Sequence, residues 1–227
     1  MVRAISETAK AEKANIILAK AVELYLKESY DSVKMVDIAK ACGFSKGIIF
    51  YYFNSKEKLF LEIFKREYEK RCNSIIEEIK QLGSLSFDSL ILFLLKEMNQ
   101  LLDENSLYVR LTALMNSTLE DNLDYETAFD IKQMFYSIGL KIGELITERV
   151  SDITIEDCMK MLMTQHAIIV GYKSLTKTPD NIKQAIRENH MNAFDINFKE
   201  SALQAMKYYL EGLHKECLER SYRQYGE

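Results

Sequence analysis

A chain of 227 residues with eight Gly and one Pro has too few turn residues for an all-β sandwich or barrel, which must reverse direction about every 8 to 12 positions. Hydrophobic content of 48% beside 28% charged residues supplies a core and excludes a disordered chain. The formal net charge of −4, taken whole, argues against nucleic acid as a partner.

The length suits one full domain with a small companion. Cys42, Cys72, Cys158 and Cys217 are scattered singly, without a C-x-x-C pair, and read as reduced thiols of a cytoplasmic protein. The alternating charges Arg3, Glu7, Lys10, Glu12 and Lys13 do not form a signal peptide. The longest apolar runs, Leu90 to Leu95 and Ile48 to Phe53, fall far short of a membrane span, so no membrane partner is expected.

In chain order, Ile17, Ala21, Leu24 and Tyr25 recur at helical spacing and predict an amphipathic helix over Lys13 to Lys27. Two short helices follow, Met35 to Cys42 and Lys46 to Phe53, with Gly43-Phe44-Ser45 between them. Gly43 suits a left-handed helix end and Ser45 a new N-cap, so the pair reads as a helix-turn-helix. Asn54-Ser55 breaks the chain before a long helix from Lys56 to Gln81. Further helices are predicted over Phe87 to Leu102, Leu107 to Leu119, Tyr125 to Val150, Ile155 to Leu175 and Phe198 to Tyr222. Thr154 with Asp157, and Asn197 with Glu200, are capping signatures for the last two. Thr176 to Asp195 reads as a loop with a short helical turn around Ile182 to Arg187.

Charge divides the chain. Residues 1–58 hold ten Lys or Arg against seven Asp or Glu, a net of +3, which leaves 20 against 27, a net of −7, on residues 59–227. The acidic total therefore conceals a basic head. If Ile49, Tyr52 and Phe53 face inward, then Lys46, Gly47, Phe50 and Tyr51 face outward. Exposed rings beside lysines are costly in water but suit a groove edge with its sugars and thymine methyls. Lys46, Lys56 and Lys58 occupy first helical turns, where the macrodipole disfavours cations by ~0.3–1 kcal/mol each. A solvated surface position explains any one of them; three around one helix-turn-helix favour phosphate binding.

The stretches Ile17 to Tyr30, Asp37 to Gly47 and Phe50 to Leu59 resemble the DNA-binding domain of the tetracycline-repressor (TetR) family of bacterial transcription regulators, over about residues 13–62. The resemblance implies an all-α fold: a three-helix helix-turn-helix head over residues 1–58, and an all-helical ligand-binding and dimerisation body over residues 59–227. It implies base or groove contacts from Lys46, Gly47 and Phe50 and phosphate contacts from Tyr51, Tyr52 and Lys56, with Ser45 at the start of the same helix. Lys34 stands where the family usually has a phosphate-binding Thr, keeping a donor but losing a cap. Ile48 and Phe50 stand where Thr and Tyr are common, so apolar contact with thymine methyls replaces hydrogen bonds there.

In the body, Leu203, Met206, Leu210, Leu213 and Cys217, and Ile155, Met159, Leu162, His166 and Ile169, follow seam spacings for side-by-side helices. Because a half-site reader needs a twofold mate, Leu162, Ile169, Leu203, Met206, Leu210 and Leu213 are expected at a homodimer interface. Phe129, Met134, Phe135, Ile138 and Ile142, with Leu92, Phe93 and Met98, suggest an apolar lining for a small hydrophobic effector. Phe93, Phe135, Ile138 and Met163 are the apolar candidates, with Tyr108, Arg110, Asn116, Tyr136 and His166 as the polar candidates to orient the ligand. Gly139 and Gly143 would admit either a neighbouring helix or a ligand.

The function these features support is a ligand-responsive repressor that binds a palindromic double-stranded operator as a homodimer. No Gly-rich phosphate loop, G-x-S-x-G or H-E-x-x-H pattern is present, so an enzyme is not expected, nor a cofactor. A helical adaptor binding an acidic protein would explain the charge split but not the outward Phe50 and Tyr51. A metal- or haem-sensing variant would need more ligands than Cys158 and His166, which lie two helical turns apart.

Overall fold

The computed structural model describes residues 7–103, 106–121 and 123–225, with the side chains of 116, 117, 224 and 225 outside that description. Its regular elements are helices: α1 (Glu7–Lys27), α2 (Met35–Cys42), α3 (Lys46–Tyr52), α4 (Lys56–Gln81), α5 (Phe87–Leu101), α6 (Leu107–Leu114), α7 (Tyr125–Thr147), α8 (Ile155–Leu175), α9 (Asp180–Glu188) and α10 (Phe198–Tyr225). The chain forms two compact units, Met1–Tyr68 with Leu114–Leu123, and Glu69–Ala113 with Asp124–Glu227.

Most helix boundaries follow the apolar period, and the departures have local causes. α1 is already helical at Glu7, ahead of Lys13, because Ala9, Ala11 and Ala14 favour helix without supplying an apolar stripe. The sixth helix turns π-helical over Met115–Leu119, where the Glu120 N–H donates to the Met115 carbonyl at 3.1 Å. α7 stops at Thr147 because the chain is tied elsewhere: the Leu85 N–H donates to the Arg149 carbonyl at 2.8 Å, and Arg149 Nε donates to the Leu82 carbonyl at 3.0 Å. The turn expected near Pro179 is a full helix, α9.

In the first unit, α1 to α3 and the start of α4 enclose Ile17, Ala21, Tyr25, Ile38, Ile49, Phe60 and Phe64. The Phe60 ring meets Tyr25 and Tyr30 edge-on, with centroids 5.1 and 5.0 Å away. In the second unit, α8 packs against both α7 and α10, and α10 also packs against α5. Gly139 and Gly143 resolve in favour of a helix. A Cβ at Gly139 would lie 2.7 Å from Met159 Sδ, and one at Gly143 would lie 3.3 Å from Ile155 Cγ2. α8 is capped by the expected box: Asp157 N–H donates to Thr154 Oγ1 at 3.2 Å and Thr154 N–H to Asp157 Oδ2 at 3.0 Å. Arg220 of α10 completes that carboxylate, its Nη2 donating to Asp157 Oδ2 at 2.5 Å.

The residues expected at a dimer seam are also engaged within their own chain. Ile169, Met206, Leu210 and Leu213 are buried in their own chain, and Leu162 and Leu203 are half-buried beside them. The 3,4 spacing marks a seam but does not say whose helix fills it; within the chain α8 packs on α7 and α10, and α10 also packs on α5. The faces that α8 and α10 leave exposed carry Met163, Ala167 and Gly171, and Tyr208, Gly212 and Lys215.

Candidate nucleic-acid interface

The turn between α2 and α3 is built by its caps. Gly43 takes φ 67° and ψ 25°, which only glycine adopts at low cost, and the Phe44 N–H donates to the Ala39 carbonyl at 3.0 Å. Ser45, extended at φ −70° and ψ 152°, caps α3 by accepting from the Ile48 N–H at 3.4 Å. Lys34 precedes α2 with no side-chain cap and stays exposed.

This geometry rotates α3 so that Ile49 is fully buried while Lys46, Gly47, Phe50 and Tyr51 face solvent. Phe50 is 39% and Tyr51 68% exposed, high for rings without a partner molecule to shield them. Cations lie over both: Lys46 Nζ is 5.4 Å from the Phe50 centroid, and Lys10 Nζ of α1 is 5.7 Å from that of Tyr51. Lys10 was not expected at this face, since it precedes the apolar period of α1. Ile48 is half-buried beside the exposed stripe.

Two residues are placed differently from expectation. The Tyr52 hydroxyl is enclosed, without a hydrogen-bond partner among the described residues. Tyr51 and Tyr52 meet edge-on at 5.3 Å, with Tyr51 on the solvent side. Lys56 turns inward: its Nζ donates to the carbonyls of Tyr30 at 2.9 Å and Val33 at 3.3 Å, and lies 3.9 Å from the Tyr30 ring centroid. It fastens the α1–α2 connection to α4. Beside it, burial alone would raise the Glu57 carboxyl. Hydrogen bonds from its own backbone and from Ser55 and Tyr30, with the Lys56 charge, bring it below its ordinary value instead.

The effector candidates differ in burial. Met163 is 67% exposed on α8. Leu92 and Phe129 are also exposed, while Ile142 and Met98 are packed in the core. Phe93, Arg110, Phe135, Ile138 and His166 are half-buried, and the side chain of Asn116 lies outside the described residues. Among the described residues no three His, Cys, Asp or Glu side chains converge as metal ligands. No helix among them is long and apolar enough to cross a membrane.

One polar feature escaped the sequence reading. Glu97 occupies a core position of the α5 stripe, and its carboxylate pairs with Arg71 of α4, Oε2 lying 3.0 Å from Nη2. A charged residue in register with Phe87, Leu90 and Leu101 was the available signal.

A helix-turn-helix with a basic, aromatic outer face, carried by an otherwise helical chain, defines a helix-turn-helix protein. Comparison with known proteins narrows this. Residues 17–63 match the profile of bacterial regulatory proteins of the tetR family, and residues 65–216 that of the tetracyclin repressor-like C-terminal domain. The chain thus belongs to the TetR family of bacterial transcriptional regulators. It is 37% identical over 65 residues to the HTH-type transcriptional regulator YuxN of Bacillus subtilis (strain 168), a match spanning 29% of this chain and 22% of that one. It is 24% identical over 147 residues to IcaR of Staphylococcus aureus (strain Newman), the negative transcriptional regulator of the biofilm operon icaADBC, covering 65% and 76% of the two chains. The fold is similar to that of the regulator FadR of Bacillus subtilis, crystallised with stearoyl-CoA, with TM-score 0.53 and 17% identity over 84% of this chain and 96% of that one.

Proposed function

We propose that the protein is an effector-responsive repressor that binds a palindromic DNA operator as a homodimer. Residues 1–58 carry the DNA contacts, and residues 59–227 carry the effector site and the dimer contacts. The observation that carries this reading is the outer face of α3, where Lys46, Gly47, Phe50 and Tyr51 stand exposed on a helix fixed by Gly43 and Ser45. Lys46 and Phe50 are assigned to base edges and thymine methyls, and Tyr51, Lys34 and Lys10 to phosphates. Lys56 serves as the clamp that positions the helix-turn-helix, and Tyr52 as part of its packing.

Dimerisation is assigned to the exposed faces of α8 and α10, where Gly171 and Gly212 leave open space for a close helix from a second copy. Two recognition helices about 34–36 Å apart then read one face of the duplex. An effector represses or releases DNA binding only to the extent that it prefers one spacing of those helices.

A gel shift on the DNA flanking the protein's own gene tests the reading. The expected result is a specific, salt-sensitive complex at nanomolar protein; Lys46→Ala and Phe50→Ala each weaken it by ~1–3 kcal/mol and relax sequence preference. Equal losses on operator and random DNA would overturn the base-contact assignment.

A further inference from the structure

Glu97 and Arg71 form a buried pair whose hydrogen-bonding capacity is unfilled. The Glu97 side chain is 3% exposed, with Oε2 3.0 Å from Arg71 Nη2 and Oε1 3.9 Å from Lys96 Nζ. Arg71 Nη2 also donates to the Glu97 carbonyl at 2.9 Å. Yet neither carboxylate oxygen nor Arg71 Nε has a hydrogen bond of sound geometry among the described residues. α6 brings the Tyr108 phenol within electrostatic reach of Arg71: burial pushes the phenol up, Cys72 pushes it further, and the Thr112 hydroxyl and Arg71 charge pull it down. Thr112 is itself 1% exposed.

Taking two charges out of water is repaid when their remaining lone pairs and protons are satisfied, and native interiors satisfy nearly all of them. Here the pair has acceptors on Glu97 and a donor on Arg71 still to fill. We propose that Arg71, Glu97, Tyr108 and Thr112 form the polar end of the effector site, and that the effector is an uncharged amphipathic molecule whose head group both donates and accepts, such as a primary carboxamide or alcohol. This rests on the effector-responsive reading above. The head donates to Glu97 and accepts from Arg71 Nε. A cationic head would meet both Arg71 and Lys96, and an anionic head would meet Glu97, so neither fits the local charge.

Calorimetry on the full chain without DNA tests this with three probes of equal chain length: octanamide, octanoate and octylamine. Octanamide is expected to bind about tenfold more tightly than either charged probe, the worth of one hydrogen bond to a buried charge. The double variant Arg71→Met/Glu97→Leu removes both charges together and leaves no unpaired ion, so its melting temperature is not lowered. Its preference for octanamide is expected to fall below about threefold. Equal binding of all three probes, no binding of any, or an unchanged preference in the double variant would overturn the proposal and leave the pair a structural one filled by water. Operator binding without octanamide preference overturns this inference alone, whereas octanamide preference without an operator complex overturns the repressor reading.

Discussion

At Gly43 the backbone does what a side chain resists. Its φ of 67° is left-handed, and a Cβ there would meet nothing within 4 Å, so the cost of Gly43→Ala is conformational alone, about 1–2 kcal/mol. Urea denaturation checks it; an unchanged midpoint would contradict the role given to this turn. Lys56→Met removes two carbonyl contacts and a ring contact and is expected to destabilise the fold by ~1–2 kcal/mol. Its effect on DNA affinity then follows from stability and not from a lost phosphate contact, so the salt slope of binding stays as in the wild type. Asp157 gives a pH dependence. Burial alone would raise its carboxyl, but hydrogen bonds from Arg220 and Thr154 hold it below its ordinary value. A carboxyl depressed in the folded state contributes stability that is present above its unfolded pKa of about 3.9 and lost as pH falls through the folded value. Asp157→Asn is therefore expected to be less stable at pH 7 and to lose less on acidification below about pH 4 than the wild type. Parallel stability curves for the two proteins would contradict this.

At the scale of elements, α4 and α8 end where their sequence patterns end, at Lys56 and Gln81 and at Ile155 and Leu175. The signals were strong there: a break at Asn54-Ser55 and a capping box at Thr154 and Asp157. α1, α6 and α7 deviate where something other than apolar period acts: alanine propensity, a π-turn, and the Arg149 tether. The crossing of α7 on α8 depends on Gly143, whose added Cβ would sit 3.4 Å from Cys158 Cβ and 3.7 Å from the Ile155 Cα. Gly143→Leu is expected to cost ~1–3 kcal/mol by forcing the helices apart, measurable as a lower melting temperature. Gly139→Ala meets mainly the flexible end of Met159 and is expected to be far milder.

For the whole molecule, the net charge of −4 masks the +3 of residues 1–58, and that split, with the Gly43–Ser45 turn, made the helix-turn-helix legible. The outer face of α3 was legible for the same reason, since one buried position, Ile49, fixes the rotation of so short a helix. Partner choice was not legible. A seam repeat in α10 looks the same whether α8 of the same chain or a second copy fills it, and a core position holding Glu97 shows its meaning only once Arg71 is seen across from it. The proposed dimer face is the one that α8 and α10 leave uncovered. Met163→Glu with Ala167→Arg is expected to yield folded monomers by sedimentation, with a melting temperature that no longer rises with protein concentration, since both positions are exposed in the single chain. A dimer unaffected by that pair would move the interface elsewhere.

The central claim is sequence-specific DNA binding through the outer face of α3. Its most direct test is fluorescence anisotropy of the full chain on the DNA flanking its own gene and on scrambled DNA of equal length, at two salt concentrations. The wild type is expected to prefer the flanking DNA by at least about a thousandfold, with affinity falling steeply as salt rises. Lys46→Ala should shrink that preference. Equal affinity for both DNAs, or a preference that Lys46→Ala leaves intact, would contradict the account.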